Sequence, residues 1–235
     1  MDTQTRHALK GDKFAQATKT SVTWLSGHRT GVLRWTIGIA VVVLLGVALV
    51  VFWNLRASAA DSALGAAVDT YSTQLAEPGV PAEKGIYARS SERAKVANQQ
   101  FQAVAEQYGW LPAGTKAHYF AGVTARELGQ NATAEAELKK AADSWDRNIS
   151  NLAKLALANL YHQTNRDAQA IDMYNAIIAK PSDTVSAGVA QLGLADLYQA
   201  SGKKDQARAL WAKLKDSDKD GTAGSIAAQK LAGGQ

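Results

Sequence analysis

The side chains whose spacing could hold a metal are Asp216, Asp218 and Asp220, followed by Gly221. Carboxylates at alternate positions before a glycine open the loops that wrap Ca²⁺, where the glycine makes a sharp turn and a glutamate at the twelfth position closes the shell. The twelfth position here is Ala227, so that bidentate ligand is missing. The expectation is a solvated loop in which Asp220 or Thr222 caps a final helix. With no cysteine and four histidines, thiol catalysis, Fe–S clusters, disulfides and the usual zinc sets drop out. No acid–nucleophile spacing surrounds His118 or His162, which read as surface or groove-lining histidines. No glycine-rich phosphate loop follows a strand, because no convincing strand is present. No catalytic residue, cofactor or metal is therefore predicted, and the chain does not read as an enzyme.

A chain without such chemistry is defined by the elements that would have positioned it. Its 235 residues, 46% of them hydrophobic, are enough for one ordinary core or two small ones. The net charge of +5 is unevenly placed: residues 1–34 carry six Lys/Arg and two Asp, whereas residues 56–235 carry 20 basic and 19 acidic groups. Basicity confined to a terminal arm beside an apolar run points to a membrane surface and away from nucleic acid.

Residues 35–55 contain no charge and are dominated by Ile, Val, Leu, Ala and Gly. At about 1.5 Å per residue they span the ~30 Å hydrocarbon core as one helix. Trp35, Phe52 and Trp53 stand where headgroups would be, and Arg34 and Arg56 bracket the span. Six basic residues precede it, while only Arg56 and Lys84 fall in the next thirty, so the positive-inside rule places the N-terminus in the cytoplasm and residues 56–235 outside. The competing reading is a cleaved signal with its site at Ala57, Ser58 and Ala59, but the leading segment and the apolar run are both too long for one. Phe14, Thr18, Val22 and Leu25 share one face of an expected basic amphipathic helix over residues 3–28, suited to an anionic inner leaflet or a cytoplasmic partner.

The remainder repeats. Ala134, Ala170 and Ala207, spaced by 36 and 37 residues, are each followed by a large residue four on (Leu138, Tyr174, Trp211) and an apolar one seven on (Ala141, Ile177, Leu214). Before each alanine come a small residue (Gly122, Ala158, Ala195), then Ala125, Tyr161 or Tyr198, then a turn at Gly129, Asn165 or Gly202. Gly and Asn reverse a helix hairpin cheaply because they tolerate positive φ. Ala97, Phe101 and Val104 repeat the second-helix pattern one period earlier. Ahead of them, Ala60, Leu64, Ala67, Tyr71 and Leu75 share a face of a helix over 57–76 that continues the apolar span, and Pro78, Gly79, Pro81 and Gly85 then forbid a continuous helix. A short helix over residues 222–231 would cap the last hairpin.

Over residues 88–220 this pattern resembles the tetratricopeptide repeat, a stacked helix hairpin with small residues where its two helices cross. The resemblance implies an all-α solenoid of about three and a half hairpins. The first helices of such hairpins line a concave protein-binding groove. Here the corresponding positions are Lys116, Tyr119, Val123 and Arg126, then Leu152, Leu155, Asn159 and His162, then Val189, Leu192, Asp196 and Gln199. Tyr119, Leu155 and Leu192 would form its apolar stripe, or else half-covered core. Only Asn159 matches the Lys/Asn/Arg clamp by which some members hold a peptide carboxylate.

The whole order is a basic arm (1–34), a transmembrane helix (35–55) and an extracytoplasmic repeat domain with a capping helix (56–235). It resembles the YfgM-like ancillary subunits of the bacterial Sec translocon. That resemblance implies a single-pass protein of the bacterial inner membrane whose periplasmic repeats assist Sec-dependent secretion and meet chaperones or secreted clients. Two other classes fit the same residues: a scaffold for an envelope or division complex, and a self-associating membrane protein, for which Gly38 and Gly46 could share a helix face.

Overall fold

The structure, a computed structural model, describes residues 29–76 and 86–233. The expected amphipathic helix over 3–28 lies outside the described residues, as does most of the Pro/Gly-rich segment, residues 77–85. All nine described helices are α-helices, and among the described residues there is no strand beyond one isolated bridge. They are α1 (Arg29–Ser72), α2 (Ser90–Tyr108), α3 (Pro112–Glu127), α4 (Asn131–Ala142), α5 (Arg147–Gln163), α6 (Asp167–Ala179), α7 (Ala187–Ala200), α8 (Lys204–Ser217) and α9 (Thr222–Gly233). The chain divides into two compact units, Met1–Arg56 and Ala57–Gln235.

In the first unit α1 is long and apolar enough to cross a membrane. Every side chain from Leu33 to Arg56 is exposed, which in water would leave more apolar surface uncovered than a soluble domain tolerates. The Arg56 guanidinium lies 5.6 Å from the centre of the Phe52 ring, a cation–π contact at the end of the apolar run.

In the second unit each helix from α2 to α9 packs on its neighbours in sequence, through connections of three to seven residues. The local chemistry explains where the helices start and stop. Pro112 opens α3, where its missing N–H costs nothing. The Asp146 carboxylate accepts from the Asn148 N–H at 2.9 Å to cap α5, and the Ser186 hydroxyl accepts from the Val189 N–H at 3.3 Å to cap α7. Gly129, Asn165 and Gly202 have φ of 73°, 58° and 76°, and no other described residue has positive φ. Each is followed by the same closing bond: the N–H of Gln130, Arg166 and Lys203 donates to the carbonyl of Ala125, Tyr161 and Tyr198. This 6→1 bond satisfies an orphan carbonyl at each helix end.

Burial follows the repeat. Ala134, Ala170 and Ala207 are fully covered, and Leu138, Tyr174 and Trp211 four residues on are buried too. Ala97, Phe101 and Val104 occupy the same environment in α2. Gly122 leaves room for Leu138, whose Cγ would lie 2.5 Å from a Cβ at that position. At the start of the unit Ala60, Leu64 and Ala67 of α1 join Phe101, Tyr108, Leu111 and Ala113 in one cluster, with Phe101 stacked on Phe120 at 5.1 Å. Buried Asn98 donates to the Ala121 carbonyl and the Thr124 hydroxyl at 2.8 and 2.9 Å, so its amide nitrogen is satisfied between α2 and α3.

The longest connection among α2–α9, residues 180–186, is anchored rather than free. Val185 is fully buried, Asn151 donates to the Lys180 carbonyl at 2.9 Å, and Thr184 donates to the Asn148 carbonyl at 2.9 Å. These bonds hold the connection against the start of α5.

Candidate functional site

The twelve predicted groove residues lie on α3, α5 and α7, and none is buried. Tyr119, Val123, Leu152 and Leu155 are half-buried and lean on one shared core cluster, so the α3 and α5 members come together. Leu192 is half-buried against a different, C-terminal cluster of Ala195, Ala207, Trp211, Leu214 and Ala227. Leu155 and Leu192 thus lean on different clusters, and Tyr198 and Leu210 pack against both. Lys116 and Arg126 are half-exposed; Asn159, Val189, Asp196 and Gln199 are exposed.

Several of these polar residues are engaged by partners from other elements. Tyr174 donates its hydroxyl to Asn159 Oδ1 at 3.3 Å. His162 Nδ1 lies 2.8 Å from Asp167 Oδ1, and the Ser201 hydroxyl donates to the same carboxylate. These contacts hold the Asp167 carboxyl below the ordinary aspartate range, the imidazole contributing most. Lys230 donates to Asp196 at 3.0 Å. Val189 and Leu192 line a cleft of about 650 Å³ with Ser186, Leu214, Thr222 and Ile226. Gln199 lines a second, of about 580 Å³, with Lys204, Arg208, Trp211, Gln229 and Lys230, where the buried Trp211 Nε1–H lacks a hydrogen-bond partner.

The sequence reading missed a polar seam between successive hairpins. Glu135 accepts from Arg166 Nη1 at 2.7 Å and pairs with Lys139 Nζ at 2.7 Å, while the Tyr161 hydroxyl reaches it at 3.3 Å. Its carboxyl is held below the ordinary glutamate range, first by Lys139 and then by Arg166. The Arg166 guanidinium also covers the Tyr161 ring at 4.5 Å. Within the α3–α4 hairpin itself, His118 Nδ1 sits 2.6 Å from Glu137 Oε2. The only signal in the chain was a pair of glutamates, Glu135 and Glu137, on one helix, too common a pattern to select.

The loop with metal-ligand spacing is arranged for capping. Asp218, not Asp220 or Thr222, performs it: its carboxylate accepts from the Gly224 N–H at 2.9 Å, in the first turn of α9. A Cβ at Gly221 would fall 2.1 Å from Asp218 Oδ1, so the glycine is what admits that carboxylate. Among the described residues no three His, Asp or Glu side chains converge as a metal site requires. Compared with known proteins, the chain matches no family model, no curated protein and no solved structure.

Proposed function

We propose that this chain is a single-pass membrane scaffold of the cytoplasmic membrane, and not an enzyme. Its basic arm faces the cytoplasm, and α2–α9 form a tetratricopeptide-type stack on the outer side that binds proteins. By the YfgM-like resemblance, those proteins are clients or chaperones near the Sec translocon. The observation that carries this reading is the in-phase burial of Ala134, Ala170 and Ala207 beside three left-handed turns, which leaves all twelve first-helix residues accessible. A repeated core with an unburied, mixed apolar and polar first-helix surface suits a partner held by many modest contacts.

Two experiments test it. In a chain with no native cysteine, a cysteine at exposed Gln206 should react with an impermeant maleimide in intact spheroplasts, and one at Thr18 should not. Reversed labelling would overturn the orientation. A photo-crosslinker at Tyr119 or Leu155, activated in native membranes, should capture secreted chains or their chaperones. Leu155→Asp should abolish that capture, because an unpaired carboxylate would be desolvated there. A single folded partner captured at fixed stoichiometry would favour the envelope scaffold, and no adduct at either position would remove the groove from consideration.

A further inference from the structure

Consecutive helices of the second unit that pack together through short connections run antiparallel, so their connections gather at two ends. Contacts of α1 identify the end at which this unit begins. The Tyr71 ring lies 6.3 Å from Phe101 of α2, its hydroxyl donates to Glu127 at the end of α3 at 3.0 Å, and Arg93 donates to the Thr73 carbonyl at 2.9 Å. The end of α1 is therefore beside the start of α2 and the end of α3. Ala60, about 16 Å back along the helix, shares its cluster with Tyr108, Leu111 and Ala113 at the opposite end. Ala57, the first residue of the unit, belongs to that opposite end, together with the connections after α2, α4, α6 and α8.

The same end carries the two most exposed large apolar side chains of this unit, Trp145 and Trp110, together with Val189 and Ile226; Leu75 and Ile86, at the other end, are 40% and 37% exposed. Trp110 and Trp145 lie in the α2–α3 and α4–α5 connections, and Val189 and Ile226 lie in the opening turns of α7 and α9. Trp145 is 88% exposed and Trp110 53%. The Trp145 turn is nonetheless pinned: Ser144 accepts from the Asp146 N–H at 3.1 Å, Asp146 caps α5, and Ser150 donates to the Ala142 carbonyl at 2.6 Å. A well-bonded turn that holds an indole in solvent suits an interfacial environment, where the ring is half-desolvated and its N–H stays hydrogen-bonded.

We propose that this end of the second unit rests in the headgroup zone of the membrane that α1 crosses, with Trp145 as the main contact and Trp110 beside it. The proposal rests on the membrane-spanning reading of α1. Five aspartates (Asp143, Asp146, Asp183, Asp218, Asp220) against Lys180 and Lys219 in the connections at this end make its occupant a neutral, zwitterionic headgroup layer. Anionic lipid should weaken the contact.

The test uses the full chain in phosphatidylcholine vesicles that carry a headgroup nitroxide, comparing wild type with Trp145→Phe and with the Trp110→Phe/Trp145→Phe double variant. The emission lost on replacing Trp145 should be blue-shifted, quenched by the nitroxide and shielded from aqueous iodide. Phosphatidylglycerol should reduce that quenching. Trp24→Phe is made in every chain compared, so that of the tryptophans left in the double variant Trp211 is buried and Trp35 and Trp53 report the span. If they are quenched while the Trp145 component emits as in water and stays open to iodide, the span stands and the docking proposal is overturned. If none of these tryptophans is quenched and carbonate extracts the chain, the spanning reading fails and takes the proposal with it. Unchanged thermal melts of both variants would show that the loss is not one of folding.

Discussion

The ring of Tyr174 occupies the space that a side chain at Gly193 would need: a Cβ there would lie 2.5 Å from Tyr174 Cε1. Tyr174 is buried between α6 and α7, and its hydroxyl is tied to Asn159 on α5. Gly193→Val should therefore destabilise the fold by about 1–3 kcal/mol through overpacking. Gly65→Ala, in α1 where nothing lies within 4 Å, should be neutral or stabilising by up to about 1 kcal/mol. Denaturant melts of the two variants check the contrast. Equal effects would show that Tyr174 can move aside.

The three left-handed turns predict substitutions of opposite sign. Asn165→Gly should be neutral or slightly stabilising, since φ of 58° is relieved by removing the Cβ. Gly129→Ala and Gly202→Ala should each cost about 1–2 kcal/mol for the same reason reversed. Urea unfolding of the three variants, side by side, measures both directions.

Glu137 sets a pH dependence. The bond to His118 holds its carboxyl below the ordinary glutamate value, assisted by Lys140 at 2.8 Å and opposed by partial burial. A depressed carboxyl contributes stability that is complete above its unfolded value of about 4.5 and is lost as pH falls through the lower folded value. The melting temperature should decline on acidification below that point, and Glu137→Gln should flatten this part of the decline. An identical pH profile in the variant would show that the pair contributes nothing.

The Asp218 cap predicts a stability effect without a metal. Asp218→Ala should cost about 1 kcal/mol, and Asp220→Ala should be close to silent. Millimolar Ca²⁺ should leave the melting temperature of both variants and of the parent unchanged, because a ligand stabilises only through occupancy of the folded state. A calcium-dependent rise that vanishes in Asp216→Ala would mean the carboxylates do converge on the ion.

Several features were determined by the sequence alone, and each depends on the chain's own local geometry. The apolar run with its aromatic and basic ends needs only helix rise and side-chain hydropathy, and α1 is the helix that results. The turns at Gly129, Asn165 and Gly202 need only residues that accept positive φ, and all three have it. Ala134, Leu138 and Ala141, like their counterparts further on, are separated by helical spacing, so their burial on one face could be read from position. Tertiary structure decided what depends on reach between elements. Glu135 and Arg166 meet across 31 positions because α4 lies against α5, and no local rule selects that pair from the other charges. Leu192 leans on the C-terminal cluster, whereas Ala190, Leu194 and Leu197 of the same helix belong to the one that Tyr119 and Leu155 pack against, because α7 contributes to both. Asp218 takes the capping role over Asp220 because it lies where Gly221 leaves room for its carboxylate, facing the Gly224 N–H. Spacing along a helix fixes a face, but only packing between helices decides which other face it meets.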